Sequence, residues 1–486
     1  MDSINKKSIK INMVLNAIKG SLSIIFPLIT FPYVSRLLGV DNLGMYNFAH
    51  SIISYFVLFA GLGISTYAIR EGARIRDDKE LIERFSCEIY SINMVSTLLS
   101  YCVLFISILV IPKLRDYRVL LIVFSFQIVF KTIGVEWLYS IYEDYFFITI
   151  RSILFQILSI VLLFLYVRND SDVVKYAGIT VFSSVGSNII NYLHSRKYCR
   201  IKLTNRIKWD VHLKPIIVLF AMTATITLYV SSDVTILGFI CDDYTVGIYS
   251  VSTKVYTIVK TILSSVLVVS IPRLSSLLGK NDNTGFMITA SDIYKTLISL
   301  VVPGMIGIIA LRRDIVLLLS SGDYLEATSS LVLLAIALFF CMGAWFWGQC
   351  ILVPYKKEKV VFLATLVGAL VNVILNCILI PFWKENAAAV TTIIAECISF
   401  IWCGIVSRKQ INISGLLAHY LKVGVGCLPI IPISIIVHKM DLTTIGNVLT
   451  IITASIILYV LIEIMLHNES IKSIVDAIKS RIFQKR

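Results

Sequence analysis

Apolar stretches long enough to cross a lipid bilayer recur from end to end of this 486-residue sequence, and they constrain its fold more than any other feature. Residues 24–31, 119–130, 158–167, 331–341 and 449–462 are among the densest. A helix crosses the hydrocarbon core with roughly 20 mostly apolar residues. Only helices and closed barrels satisfy their backbone hydrogen bonds there. The runs predict an all-α integral membrane protein of about fourteen spans. These are expected at 11–35, 43–67, 86–110, 117–139, 146–167, 173–193, 214–238, 248–271, 293–313, 328–350, 359–380, 387–406, 416–438 and 444–466, with apolar support thinnest near Tyr142 and Arg312. The first run is too long for the apolar part of a cleaved leader, and no small-residue cleavage site follows it. Composition excludes a water-soluble alternative. Only 15% of residues are charged and mean hydropathy is +0.85, whereas soluble domains are about a quarter charged.

The net charge of +14 reads as a topology signal. With the N-terminus in the cytoplasm, the inside segments are 1–10, 68–85, 194–214, 272–292, 351–359, 407–415 and 467–486. They carry roughly 27 Lys and Arg, against roughly 10 outside. Arg196, Lys197, Arg200, Lys202, Arg206, Lys208 and Lys214 crowd one inside loop, while residues 239–247 have none. Both termini are therefore expected in the cytoplasm, and no nucleic-acid partner is expected. The ten cysteines lie mostly within spans and form no CxxC, so neither a disulfide framework nor a zinc site is implied. No cofactor is expected.

No segment between spans exceeds about 25 residues, which leaves no room for a catalytic domain outside the membrane. The sequence contains no GxxxxGK[ST], HExxH or GxSxG. A transporter is favoured over an enzyme. An internal repeat agrees. Leu38-Gly39 followed by Gly44-Met45-Tyr46 recurs, six spans later and in the same orientation, as Leu237-Gly238 followed by Gly247-Ile248-Tyr249. Parallel repeats of this kind put the substrate site between the halves near the midplane.

Helical periodicity identifies the polar faces. At 100° per residue, Ser250, Thr253, Lys254, Thr257, Lys260, Thr261 and Ser264 share a sector of roughly 120°. Asn12, Asn16, Lys19, Ser23 and Thr30 share roughly 60° of the first span. Asn47, His50, Ser51, Ser54 and Ser65 share roughly 100° of the second. A charge at mid-bilayer is costly unless paired or hydrated, so these faces look at protein or at a water-filled cavity. Lys19, Lys254 and Lys260 have no acid at i±3 or i±4. A cationic cavity for a phosphate or diphosphate is one reading, with Asn16, Thr257 and Thr261 beside the lysines and Lys131 and Arg151 as lesser members. Pairing with acids of other helices, namely Asp233, Glu136 or Glu396, is the other. His50 reads as a packing residue. These three acids are also the candidates for ion coupling.

The stretch from Arg36-Leu-Leu-Gly-Val-Asp-Asn-Leu-Gly-Met-Tyr-Asn-Phe-Ala to Tyr67-Ala-Ile-Arg70-Glu71 resembles the start of the Wzx-type polysaccharide flippases. These form part of the polysaccharide transport branch of the multidrug/oligosaccharidyl-lipid/polysaccharide exporter superfamily. Val246-Gly-Ile-Tyr-Ser through Ile271-Pro-Arg-Leu-Ser is similar to that family's seventh-to-eighth-span signature. Asn372 through Ile380-Pro381, then Ala387-Ala-Ala-Val and Glu396, resembles its eleventh and twelfth spans, with Asn386 where glycine is usual.

The resemblance implies a MATE-like fold, two six-helix bundles in a V (residues 1–205 and 206–410) plus two further helices (411–466). It implies export of an undecaprenyl-diphosphate-linked oligosaccharide repeat unit, for O-antigen or capsule, across a bacterial inner membrane. Alternating access is the expected mechanism, with Pro27, Pro32 and Pro303 as points where helices bend. A polysaccharide polymerase and a chain-length regulator are expected partners beside membrane lipids. The rival classes are a multidrug/cation antiporter, which predicts acid-lined cavities, and a polymerase, which predicts large outer loops. In the tail 467–486, Ile471, Ile474, Val475, Ile478 and Ile482 form one stripe among Lys472, Lys479, Arg481, Lys485 and Arg486. That pattern predicts an amphipathic helix on the inner leaflet.

Overall fold

The structure is a computed structural model. It describes residues 9–411, 413, 415–440, 442–473 and 475–476, with side chains from residue 25 onward. Regular structure among them is entirely helical. Among the described residues, twelve helices are long and apolar enough to cross a membrane. The chain divides into two compact units, Met1–Gly247 and Ile248–Arg486.

The first unit holds α1 (Ile9–Gly61), α2 (Ile64–Ile75), α3 (Lys79–Val110), α4 (Pro112–Asp116), α5 (Arg118–Ile133), α6 (Glu136–Ile141), α7 (Tyr145–Tyr166), α8 (Val173–Val185), α9 (Asn188–Ser195) and α10 (Trp209–Ile240). α11 (Asp243–Gly279) starts in it and continues into the second unit. There follow α12 (Asn283–Ala310), α13 (Arg312–Leu319), α14 (Ala327–Trp345), a π-helical stretch (Phe346–Leu352), α15 (Glu358–Ser407), α16 (Leu416–Cys427), α17 (Ile430–His438) and α18 (Thr444–Met465).

Two elements are far longer than a bilayer requires. α1 has 53 residues and α15 has 50, about 75 Å or more if straight, against a hydrocarbon core of about 30 Å. Each is broken by one residue outside helical space, Gly39 (φ 74°, ψ 178°) in α1 and Lys384 (φ 47°, ψ −129°) in α15. The breaks fall in the turns expected between spans one and two and between spans eleven and twelve. Glycine meets the positive φ at 39 without steric penalty; lysine at 384 does not.

Other spans run as expected but are interrupted. The span expected at 43–67 turns at Leu62–Gly63, and the one at 117–139 turns at Gly134–Val135 before α6. The span at 173–193 breaks at Gly186–Ser187, and the one at 416–438 breaks after Cys427, with Pro429 capping α17. α3, α10, α11 and α12 continue several residues beyond their apolar runs into the basic segments. Their ends are capped locally. The Asp78 carboxylate accepts from the N–H groups of Glu80 and Leu81, both at 3.0 Å, and Asp282 accepts from Gly285 at 2.8 Å.

Within the first unit the two repeated turns meet. A Cβ at Gly44 would collide with the Asp243 carbonyl oxygen, and a Cβ at Gly247 would collide with the Val40 carbonyl oxygen. Counted back from the second glycine of each motif, Asp243 and Val40 are equivalent positions. The contact is therefore reciprocal, the form a self-complementary pair of surfaces takes. Residues 196–208 are ordered by hydrogen bonds rather than by regular structure. Tyr198 donates to Asp144 (2.7 Å), the Thr204 N–H donates to Ser91 (2.8 Å), and Tyr192 donates to the Ile201 carbonyl (3.3 Å). Burial in this segment pushes the Cys199 thiol up to about 11.

In the second unit α15 packs on itself and on α14 through small side chains. Ala387, Ala388 and Ala389 are fully buried, and Gly368 faces the Ala395 carbonyl. Lipid is as apolar as a leucine side chain, so close backbone approach replaces hydrophobic transfer as the adhesive here.

Candidate functional site

The polar face expected on the eighth span is present on α11. Thr253, Thr257, Thr261 and Ser264 lie along it, and the hydroxyls of Thr253, Thr261 and Ser264 donate to backbone carbonyls one turn back. Thr261 reaches the Thr257 carbonyl at 2.7 Å, and Thr261 is exposed. Lys254 is half-buried on this face. Lys260 lies over the Tyr256 ring, 5.5 Å from its centroid, and its Nζ is 3.9 Å from Glu396 Oε1 on α15. Tyr256 donates to the same oxygen at 3.2 Å. Glu396 is 5% exposed, so the acid that sequence offered as a partner does engage Lys260, at the long limit of an ion pair.

A buried amide network lies one to two helical turns from Glu396 along α15 and on its partner half. Asn372 Nδ2 donates to Thr391 (3.2 Å), Asn376 Nδ2 donates to Asn372 (3.2 Å), and Thr391 donates to Asn376. All three residues are at most 1% exposed. Buried amides of this kind are tolerated because every partner lies within the protein.

In the first unit, the polar face of the second span meets that of α10. Ser54 donates to Ser231 (3.1 Å) and Thr235 to Ser51 (2.9 Å). His50 packs against the rings of Tyr46 and Phe124, in keeping with a packing role. Asp233 is 8% exposed. Glu136 accepts from Arg151 Nη2 at 2.9 Å, with the arginine side chain 6% exposed and the carboxylate 49%. Thr30 is buried and donates to the Phe26 carbonyl. The side chains of Asn16 and Lys19 lie outside the described residues, as do Ile474, Ile478, Ile482, Lys479, Arg481, Lys485 and Arg486 of the tail.

One buried charged cluster had no signal in the sequence. Glu88 on α3 and His212 on α10 meet at 2.9 Å, with side chains 5% and 7% exposed. His212 Nε2 donates to the Glu88 carboxylate, and its Nδ1 lies 2.8 Å from the Tyr67 hydroxyl, within hydrogen-bond distance. Arg84 Nε (3.1 Å) and the Lys208 N–H (3.4 Å) also donate to Glu88. The partners are 124 residues apart, beyond any periodicity.

Helices of membrane length that carry hydroxyls, amides and lysine define a multi-pass membrane protein. The chain belongs to the polysaccharide biosynthesis protein family, whose model matches residues 10–278. It is a flippase-type member of the multidrug/oligosaccharidyl-lipid/polysaccharide exporter superfamily, as the resemblance implied. The MatE model matches residues 215–378. An Escherichia coli (strain K12) protein named "Putative O-antigen transporter" is 24% identical over 379 residues, 75% of this chain and 89% of that protein. A Shigella dysenteriae protein of the same name is 24% identical over 377 residues, 75% of this chain and 91% of its own. The solved structure of the lipid II flippase MurJ, inward closed conformation, covers 94% of this chain and 99% of that one. Its TM-score is 0.76 at 18% identity. That likeness establishes the MATE-like, all-helical fold.

Proposed function

We propose that this protein flips an undecaprenyl-diphosphate-linked oligosaccharide repeat unit, of O-antigen or capsule, from the cytoplasmic to the outer face of a bacterial inner membrane. Membership of the polysaccharide biosynthesis family and likeness to relatives named as O-antigen transporters support the substrate class. The observation that carries the reading is the lysine-bearing hydroxyl face of α11. Lysine holds a phosphate as a mobile point charge and releases it again, while the hydroxyls of Thr257 and Thr261 and the amide of Asn16 suit sugar. Lys254 and Lys19 are assigned to the diphosphate. Lys260, tied to Glu396, is a further candidate.

The breaks at Gly39 and Lys384 support fourteen crossings, arranged as bundles 1–205 and 206–410 and a terminal pair 411–466, with the basic tail on the inner leaflet. The excess of Lys and Arg supports cytoplasmic termini. Transport proceeds by alternating access: sugar and diphosphate enter the polar site while the polyprenyl tail stays in lipid. Asp233, Glu136 and Glu396 are the three acids to test for ion coupling; Glu136 accepts from Arg151, and Glu396 accepts from Tyr256 beside Lys260. A polymerase and a chain-length regulator are the proposed partners.

The test is complementation of surface polysaccharide in a flippase-null strain. Lys254→Ala and Lys19→Ala should each lower surface polysaccharide at least tenfold at normal membrane levels. Full activity of both variants would overturn the cationic site, and export of cationic dyes by loaded vesicles would favour a drug antiporter instead.

A further inference from the structure

A cavity of about 830 Å³ lies in the second unit and shares no residue with α11. Five aromatic rings line it: Tyr294 of α12, Phe339 of α14, Trp347 of the π-helical stretch, Phe400 of α15 and Tyr420 of α16. One charged side chain joins them, Arg408, which is exposed at the C-cap of α15. Lys409, also exposed, follows it. The seven-residue π stretch turns Trp347 onto this wall, and such departures from α-geometry are concentrated at functional sites. A Cβ at Gly404 would make ordinary van der Waals contact with Trp347 Nε1 at 3.6 Å, so a larger side chain at 404 would extend into the cavity. The Tyr294 and Tyr420 hydroxyls are hydrogen-bonded to each other at 2.8 Å.

The cavity has a mechanical context. α16 packs on α12 and α18, while the aromatic space lies between it and the end of α15. The cavity walls are mostly aromatic and aliphatic, so a hydrocarbon chain between them would gain dispersion contacts on both sides. The surrounding bilayer supplies hydrocarbon chains. Arg408 selects among them, because a guanidinium at the end of a span meets a phosphate in charge-assisted, two-pronged geometry. Basic pockets between spans bind anionic lipid headgroups on the same ground.

We propose that this cavity is a binding site for an anionic glycerophospholipid of the surrounding membrane, with an acyl chain among the aromatic rings and its phosphate on Arg408. The lipid fills the gap between α15 and α16 and stabilises the docking of the terminal helices. The site is independent of the α11 lysines, so failure of either reading leaves the other standing.

The test uses the full-length protein, delipidated in detergent and re-supplied with phosphatidylglycerol, phosphatidylethanolamine of the same chains, or undecaprenyl phosphate. Retention is read by native mass spectrometry and stabilisation by thermal unfolding. Wild type should retain phosphatidylglycerol at least fivefold over phosphatidylethanolamine and unfold at higher temperature with it. Arg408→Gln, a change at an exposed position, should bring the two lipids to parity. Gly404→Leu, which fills the cavity, should lower retention of both. Equal retention by wild type, or a phosphatidylglycerol preference untouched by Arg408→Gln, would overturn the site. Undecaprenyl phosphate outcompeting phosphatidylglycerol would also overturn it and reassign the cavity to the carrier lipid.

Discussion

Glu88 and His212 show what a residue-level contact contributes inside this chain. Removing His212 takes one donor from the buried Glu88 carboxylate, which keeps Arg84 and the Lys208 N–H, so the loss is that of one hydrogen bond to a charged group, about 1.5–3 kcal/mol. His212→Ala should therefore destabilise the detergent-purified protein by about that amount in chemical unfolding. The Glu88→Gln/His212→Ala double variant should lose clearly less than the two single losses added together. Additive losses would mean that the 2.9 Å contact carries no coupling. Legibility at this scale is uneven. The hydroxyl and lysine face of α11 was readable because 100° per residue puts its members on one side of a single helix. The engagement of Lys260 by Glu396, 136 residues away, was readable only as a possible pairing. The Glu88–His212–Tyr67 cluster was not readable at all, because three elements distant in sequence bring it together.

Among the elements, the two broken helices differ in how well their sequence suits the break. Gly39 adopts its positive φ freely, whereas Lys384 holds a conformation that costs a residue with a Cβ about 1–3 kcal/mol. Lys384 is exposed, so Lys384→Gly removes strain without removing packing and should raise stability by about 1 kcal/mol. A lower unfolding midpoint for that variant would show that the backbone at 384 is not strained. The glycines of the repeated turns predict the opposite. Gly44→Val and Gly247→Val each drive a side chain into a carbonyl oxygen, while a Cβ at Gly279 would meet nothing within 4 Å. Size-exclusion profiles of fluorescent fusions should show the first two largely aggregated and Gly279→Val monodisperse. Element positions were largely legible because bilayer thickness sets a length that apolar runs must match. Interruptions such as Gly186–Ser187 were not, since a membrane helix tolerates glycine and serine without breaking.

For the whole molecule, the charge bias predicts which face each turn occupies. Cys241 lies in the turn without basic residues, and Cys199 lies buried in the most basic segment with its thiol pushed up to about 11. A variant retaining only Cys241 should react with a membrane-impermeant maleimide in intact spheroplasts, and one retaining only Cys87 should react only after permeabilisation. Reversed labelling would invert the topology. The family and the all-helical fold were legible at this scale, from three short signatures and a hydropathy pattern. The compact units were not, because their boundary at Gly247 depends on where α10 packs rather than on any loop.

That packing of α10 has a consequence for how the protein is made. Membrane proteins are threaded into the bilayer in order, and His212 emerges 124 residues after Glu88. Until α10 is inserted, Glu88 lacks its imidazole partner and the turn containing Gly44 lacks the strip of backbone it fits. A ribosome paused after the sixth span would leave the first unit unfinished, with Glu88 held by Arg84 of its own helix but not yet by His212. The first unit is thus completed only by its last membrane-length helix, and synthesis has to pass residue 247 before that unit is finished.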